Sequence, residues 1–265
     1  QGVSVLEETA AYASIANGGT YFEPVYYTEV KDHDGNVLLD NKDQETHRVL
    51  KETTAYMLTD MMRDVIRKGT GGQAGISGMN VAGKTGTTND TIDLTFYGYT
   101  PYYTGGIWMG YDTQKEIKAA GNAHLKIWRS VMADIHNHEG LSNKEFEKPD
   151  GLSTATYCSA TGKAPTDLCS LDYYGKATHS DLIASDFGGP GGTCDSHQAF
   201  DICKESGKIA SPNCPADCHT EVVLAVEGDK IISKPKTIPE GKMEVFIDAV
   251  CGMQHSGADL NIPVD

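Results

Sequence analysis

Apolar residues recur at helical spacing in three stretches of the chain. Leu6, Ala10, Ala13 and Ala16 line one side of a predicted helix over residues 3 to 17, and Gly18-Gly19 supplies its stop. Residues 51 to 68 give the clearest helix. Ala55, Leu58, Met62 and Val65 share a face, Arg63, Arg67 and Lys68 gather at the C-terminal end, and Gly69 can end it. The third helix is NAHLKIWRSVMADIHNH, Asn122 to His138, with Leu125, Trp128, Met132 and Ile135 as its buried stripe. His136 and His138 near its end read as solvated polar residues.

Strand patterns fill the intervals. YFEPVYYTEVKDHDGNVLLD, residues 21 to 40, reads as a hairpin turning at Asp34-Gly35-Asn36. DLTFYGYT, Pro101 and YTGGIWMGYD read as two strands joined by a short turn, and EVVLAV and MEVFIDAV as two more near the end. Helices mixed with antiparallel hairpins predict an α+β fold, an antiparallel sheet flanked by helices, rather than repeated βαβ units. Composition shifts near Lys144, and the polar, proline-containing EKPDGLSTATY reads as a linker. Two domains are therefore expected, residues 1–143 and 144–265.

Charge and cysteine placement narrow the class. A net charge of −15 with no basic cluster argues against nucleic acid and anionic lipid as partners. No apolar run approaches the roughly 20 residues of a membrane span, and no signal-peptide pattern opens the chain. The chain passes from Gln1 at once into a helical stretch, which reads as a start inside structure. Any anchor or export signal is then expected upstream. The seven cysteines all lie at or beyond Cys158, a clustering that suggests an oxidised, extracytoplasmic, mostly β or irregular module. Cys158-SATGKAPTDL-Cys169 and Cys203-KESGKIASPN-Cys214 share the form C-x-x-[ST]-G-K-x-x-x-x-x-C. The first expectation is a disulfide within each repeat, Cys158 to Cys169 and Cys203 to Cys214. A competing one is zinc held by Cys214, Cys218 and His219 with Cys194 and His197.

The segment VAGKTGTTND, residues 81 to 90, carries the candidate chemistry. GMNVAGKT, Gly78 to Thr85, fits the phosphate-loop pattern G-x-x-x-x-G-K-[ST]. That loop needs a buried strand before it and a helix opening at the Lys-Thr. GTGGQAGISG precedes it and GTTND follows, and neither suits. As an edge strand the segment makes better sense. Thr85 and Thr87 then point the same way and can both reach a carboxylate, Gly86 leaves room for a substrate backbone, and Lys84 supplies a positive charge.

Four blocks in order make the resemblance specific: GVSVLEETAAYASIANGG, ETTAYMLTDMMRDVIRKGTG, VAGKTGTTND and FYGYTPYYTGGIWMGYD. The chain resembles the C-terminal part of a class A penicillin-binding protein, a bifunctional cell-wall synthase, over nearly all of residues 1 to 140. One departure is Leu94-Thr95-Phe96, where the family usually has a Trp-Phe pair. The resemblance implies the C-terminal half of a penicillin-binding and serine β-lactamase-like D,D-transpeptidase domain. Such a domain cross-links peptidoglycan stem peptides through an acyl-serine that β-lactam antibiotics mimic. It implies Lys84, Thr85 and Gly86 as the catalytic Lys-Thr-Gly strand and Thr85 and Thr87 as the substrate-carboxylate ligands. The Thr87 N–H would form half of an oxyanion hole, and no metal or cofactor is called for. The family's Ser-x-x-Lys and Ser-x-Asn motifs should precede this strand. The only matches, Ser233 to Lys236 and Ser211 to Asn213, follow it and read as coincidences. The nucleophile is therefore expected outside this chain, in the N-terminal remainder of the same domain, and the chain alone should not acylate. The alternative is a non-catalytic cell-wall-binding or scaffold protein of the same fold. A β-lactamase or carboxypeptidase is disfavoured by GYTPYYTGGIWMGYD.

Overall fold

Helix α1 (Val5–Ala16) begins at a capping box: Ser4 Oγ accepts from Glu7 N, and the Glu7 carboxylate accepts from Ser4 N at 2.8 Å. It ends at Gly18-Gly19, where a Cβ on Gly19 would lie 2.3 Å from the Leu50 carbonyl oxygen. This is a computed structural model that describes residues 2–118 and 121–255. The chain forms two units, Gln1–Leu152 and Ser153–Asp265.

In the first unit, β1 (Thr20–Phe22), β2 (Glu29–Lys31), β3 (Val37–Asp40) and β4 (Thr46–Arg48) form two small antiparallel pairs, β1 with β4 and β2 with β3. The hairpin expected from residue 21 thus spans only Glu29–Asp40, and Tyr21 stands opposite His47. Pro24 has no N–H for a ladder and separates the two pieces. The Asp32 carboxylate closes the turn by accepting from the N–H groups of Asp34 and Asn36, each at 2.9 Å.

Helix α2 (Glu52–Arg67) borders a three-stranded antiparallel sheet of β5 (Ala82–Thr87), β6 (Leu94–Tyr99) and β7 (Thr104–Met109), in that order. Helix α3 (Ala123–His138) covers one face with Leu125, Trp128 and Met132, which pack on Phe96 and Val81. The other face carries Ala82 and Tyr99 against Met62 of α2 and Tyr12 of α1. Leu58 packs against this cluster, and Thr59, a polar neighbour, is buried on α2. Its hydroxyl donates to the Ala55 carbonyl at 2.9 Å and pairs with the buried Tyr99 hydroxyl at 2.7 Å. Thr59→Val removes that partner from a fully buried phenol, so the first unit should lose ~1–3 kcal/mol in urea denaturation with its m-value unchanged.

Two expectations for α3 and its exit are corrected. His136 is buried, bonded to Thr100 Oγ1 at 2.9 Å and to the Met132 carbonyl at 2.7 Å, while Ile135 is 37% exposed. The stripe Leu125, Trp128, Met132 advances by four again to His136, and the imidazole enters the core because both ring nitrogens find partners there. The division falls at Leu152–Ser153 rather than after residue 143. Residues beyond 143 remain with the first unit. Asn80 bonds Asn143, Lys144 and Glu145, and Phe146 meets Tyr99 edge-on at 5.6 Å.

The second unit contains β8 (Leu152–Cys158), α4 (Asp167–Ser170), β9 (Thr178–Ala184), β10 (His197–Cys203), β11 (Lys208–Ile209), β12 (His219–Glu227), β13 (Lys230–Ile231) and β14 (Phe246–Val250). β8 pairs with β9, and a five-stranded sheet runs β13-β12-β10-β11-β14. The predicted linker is in part a strand, since β8 takes its last residues. The core is small: Ile202, Val222, Leu224, Val226 and Val245. All seven cysteines are free thiols, so the expected bridges from Cys158 to Cys169 and from Cys203 to Cys214 are not formed. Instead of pairing, the sulfurs gather in threes: Cys158, Cys169 and Cys194, and separately Cys203, Cys214 and Cys251.

Candidate active-site strand

β5 lies at the edge of its sheet, so alternate N–H and C=O groups along it have no ladder partner. Its register against β6 is regular, with Lys84 opposite Tyr97, Thr85 opposite Phe96, Gly86 opposite Thr95 and Thr87 opposite Leu94. No helix opens at Lys84-Thr85, which removes the phosphate-loop alternative. The segment is extended because each β5 residue answers a β6 residue. Ala82 and Gly83 are buried, and the strand emerges through the exposed Lys84 and the half-buried Thr85 to the exposed Thr87.

Glycines let β5 sit close. A Cβ on Gly83 would lie 2.6 Å from Phe96 Cζ, and one on Gly98 would lie 2.6 Å from Phe96 Cε1, so the Phe96 ring rests on a floor of two glycines. The room at Gly86 has a local use as well: a Cβ there would meet Thr95 Oγ1 at 2.2 Å. Thr95, within the Leu94-Thr95-Phe96 departure, stands opposite both Gly86 and Trp108.

Lys84 and Gly86 belong to one face of the strand, Thr85 and Thr87 to the other. Lys84 Nζ donates to the Thr85 carbonyl at 2.7 Å, which keeps the ammonium beside the strand. Thr85 Oγ1 shares a 2.7 Å bond with Thr70 Oγ1, from the loop after α2. Sequence reasoning missed Thr70; its only signal was a hydroxyl inside the glycine-rich GTGG. Opposite Lys84, the Tyr97 phenol is pushed up to about 12, first by burial and then by Glu8, so it stays protonated at neutral pH. Beyond the strand, Asp93 accepts from Trp108 Nε1 at 2.9 Å and from Thr88 Oγ1, tying the turn to β7. The arrangement is an edge strand with one fixed cation and two same-side alcohols.

The two coincidental motifs lie elsewhere. Ser233 to Lys236 follows β13 in an irregular stretch, where Ser233 Oγ accepts from Ala225 N at 3.2 Å. Ser211 faces Cys214 Sγ at 3.6 Å. Neither serine starts a helix.

Residues 1–134 match the family described as the penicillin binding protein transpeptidase domain. The chain belongs to that family. Penicillin-binding protein 1A of Clostridium botulinum is 34% identical over 223 residues, which cover 82% of this chain and 26% of the relative. Penicillin-binding protein 1A/1B of Bacillus subtilis is 30% identical over 212 residues, covering 70% and 22%. The chain thus spans about a quarter of the length of the curated relatives it matches. The crystal structure of penicillin-binding protein 1A from Haemophilus influenzae superposes with a TM-score of 0.57 at 16% identity, over 72% of this chain and 33% of that one, a likeness of fold. Among the described residues no helix is long and apolar enough to cross a membrane.

Proposed function

We propose that this chain supplies the substrate-carboxylate and oxyanion strand of a D,D-transpeptidase that cross-links peptidoglycan stem peptides outside the cytoplasm and that β-lactam antibiotics acylate. The observation that carries it is the edge strand β5, with Lys84, Thr85 and Thr87 grouped on it, inside the segment that matches the transpeptidase family. In this reading the Thr85 and Thr87 hydroxyls donate to the terminal carboxylate of the D-Ala-D-Ala stem. Thr70 holds the Thr85 hydroxyl in one rotamer before substrate arrives, which lowers the ordering cost at binding. The Thr87 N–H, on the free side of the edge strand, donates to the developing oxyanion, a contact worth ~2.7–4 kcal/mol in a comparable hole. The nucleophilic serine comes from a part of the domain outside this chain, since neither Ser233 nor Ser211 stands at a helix start.

The test uses the complete protein and this chain in parallel. With a fluorescent penicillin on a denaturing gel, the complete protein should label and this chain alone should not. In the complete protein, Thr87→Val should slow acylation ~10–100-fold while the melting temperature stays within a degree or two. A labelled band at the mass of this chain would place the nucleophile within it. Unlabelled complete protein would favour the non-catalytic wall-binding scaffold instead.

A further inference from the structure

We propose that the second unit binds two zinc ions in closed structural sites, one at Cys158, Cys169, Cys194 and His197 and the other at Cys203, Cys214, Cys251 and His255. In each set the four ligand atoms lie within 4.8 Å of one another, and all eight residues are buried. A zinc tetrahedron with Zn–S of about 2.3 Å and Zn–N of about 2.0–2.1 Å separates sulfur from nitrogen by about 3.5 Å. At the first site His197 Nδ1 stands 3.7 Å from Cys158 Sγ and 3.4 Å from Cys194 Sγ. At the second, His255 Nε2 stands 3.7, 3.3 and 3.5 Å from the sulfurs of Cys203, Cys214 and Cys251. Disulfides do not account for this geometry. A bridge takes two sulfurs about 2.05 Å apart, leaves the third thiol of each set unpaired, and gives the histidine no reason to face all of them.

The groups behind the ligands repeat as well. His197 turns its other nitrogen, Nε2, to the buried Asp172 carboxylate at 3.2 Å, and Asp172 is itself held by Tyr174 N and Ala225 N. His255 Nδ1 lies 3.3 Å from Glu205 Oε2, an ion-pair contact without the hydrogen-bond geometry that Asp172 offers His197. A carboxylate on the far nitrogen of a histidine fixes the tautomer and orientation that a metal needs. Backbone N–H groups meet the thiols at matching places, Thr166 N to Cys169 Sγ and Ser211 N to Cys214 Sγ, both at 3.4 Å.

The two sites are copies of one local structure. Each first cysteine ends a strand, β8 or β10, and accepts at its carbonyl from a left-handed glycine, Gly162 at 2.7 Å or Gly207 at 2.9 Å. Each third cysteine donates its N–H to the equivalent residue of the repeat, Cys194 to Ala164 and Cys251 to Ile209. The repeat seen in sequence therefore covers only the first two ligands, and backbone pairing brings the other two. Spacing differs by one residue, Cys194-x-x-His197 against Cys251-x-x-x-His255, and the histidines accordingly present opposite nitrogens. Three thiolates and one imidazole in a tetrahedron suit zinc. Burial of every ligand leaves no open position, so the role is structural. Three thiol protons pass to solvent at each site as the ion binds. With so small an apolar core, the ions serve as staples where disulfides would otherwise be needed.

The chain, produced with zinc and purified without chelator, should carry two zinc ions by elemental analysis and native mass spectrometry. Cys158→Ser and Cys203→Ser should each remove one ion, and Cys218→Ser should remove none. Should a ligand variant fail to fold, Asp172→Asn and Glu205→Gln keep all eight ligands. Each should weaken one zinc by ~10–100-fold against a chromophoric chelator. Cobalt in place of zinc should give the thiolate charge-transfer bands of a tetrahedral site. One ion or none per chain, a non-reducing peptide map joining Cys158 to Cys169, or an unchanged zinc content in both serine variants would overturn the proposal.

Discussion

Lys84→Ala in the complete protein should lower the second-order rate of penicillin acylation ~30–1,000-fold, with little change in melting temperature. The expectation rests on position and charge. Lys84 is exposed on an edge strand and, among the described residues, its ammonium bonds the neighbouring Thr85 carbonyl alone, so little folding energy depends on it. Its side chain leaves the face opposite Thr85 and Thr87, and its ammonium is turned back to the Thr85 carbonyl at the strand edge. At ~4 Å and an effective dielectric near 20, an ammonium–carboxylate pair is worth about 4 kcal/mol before desolvation is subtracted. A net two to four of these correspond to ~30–1,000-fold. Lys84→Arg should not restore the rate, because a planar fork does not replace a compact ammonium. Stopped-flow or quenched gel labelling measures the rate. Wild-type acylation by Lys84→Ala would remove this strand from the mechanism.

Phe96→Ala should destabilise the first unit by ~3–5 kcal/mol, enough to consume much of a typical domain's stability. Phe96 is fully buried, meets Trp128 edge-on at 4.9 Å, and lies over Gly83 and Gly98. Those glycines cannot fill the vacated space, so a cavity opens at the root of β5, and Thr85 and Thr87, two and four positions along from Gly83, lose their support. Both tryptophans, Trp108 and Trp128, lie in the first unit, so urea denaturation followed by their fluorescence reports this unit alone. A shift in midpoint equivalent to less than ~1 kcal/mol would show that the site collapses without cost.

The sequence by itself determined the elements whose signal is local. Helices α1, α2 and α3 were legible because apolar spacing, with glycine stops after the first two, acts within a few residues. The strand through Lys84-Thr85-Gly86 was legible because its flanks forbid a helix, and four ordered blocks pointed to the transpeptidase family. What the tertiary structure decided lies in contacts between distant residues. His136 rather than Ile135 enters the core because Thr100 waits there with a hydroxyl. Gly86 answers Thr95 across the strand pair, and Thr70 reaches Thr85 from another loop. The cysteines show the limit most clearly. Their repeat suggested two short disulfide loops, since spacing alone relates Cys158 to Cys169 and Cys203 to Cys214. Folding adds Cys194 with His197 and Cys251 with His255, up to 52 residues away along the chain, through strand pairing that no local pattern encodes. A third sulfur and an imidazole in each cluster change the chemistry from a covalent bridge to a tetrahedral metal cage.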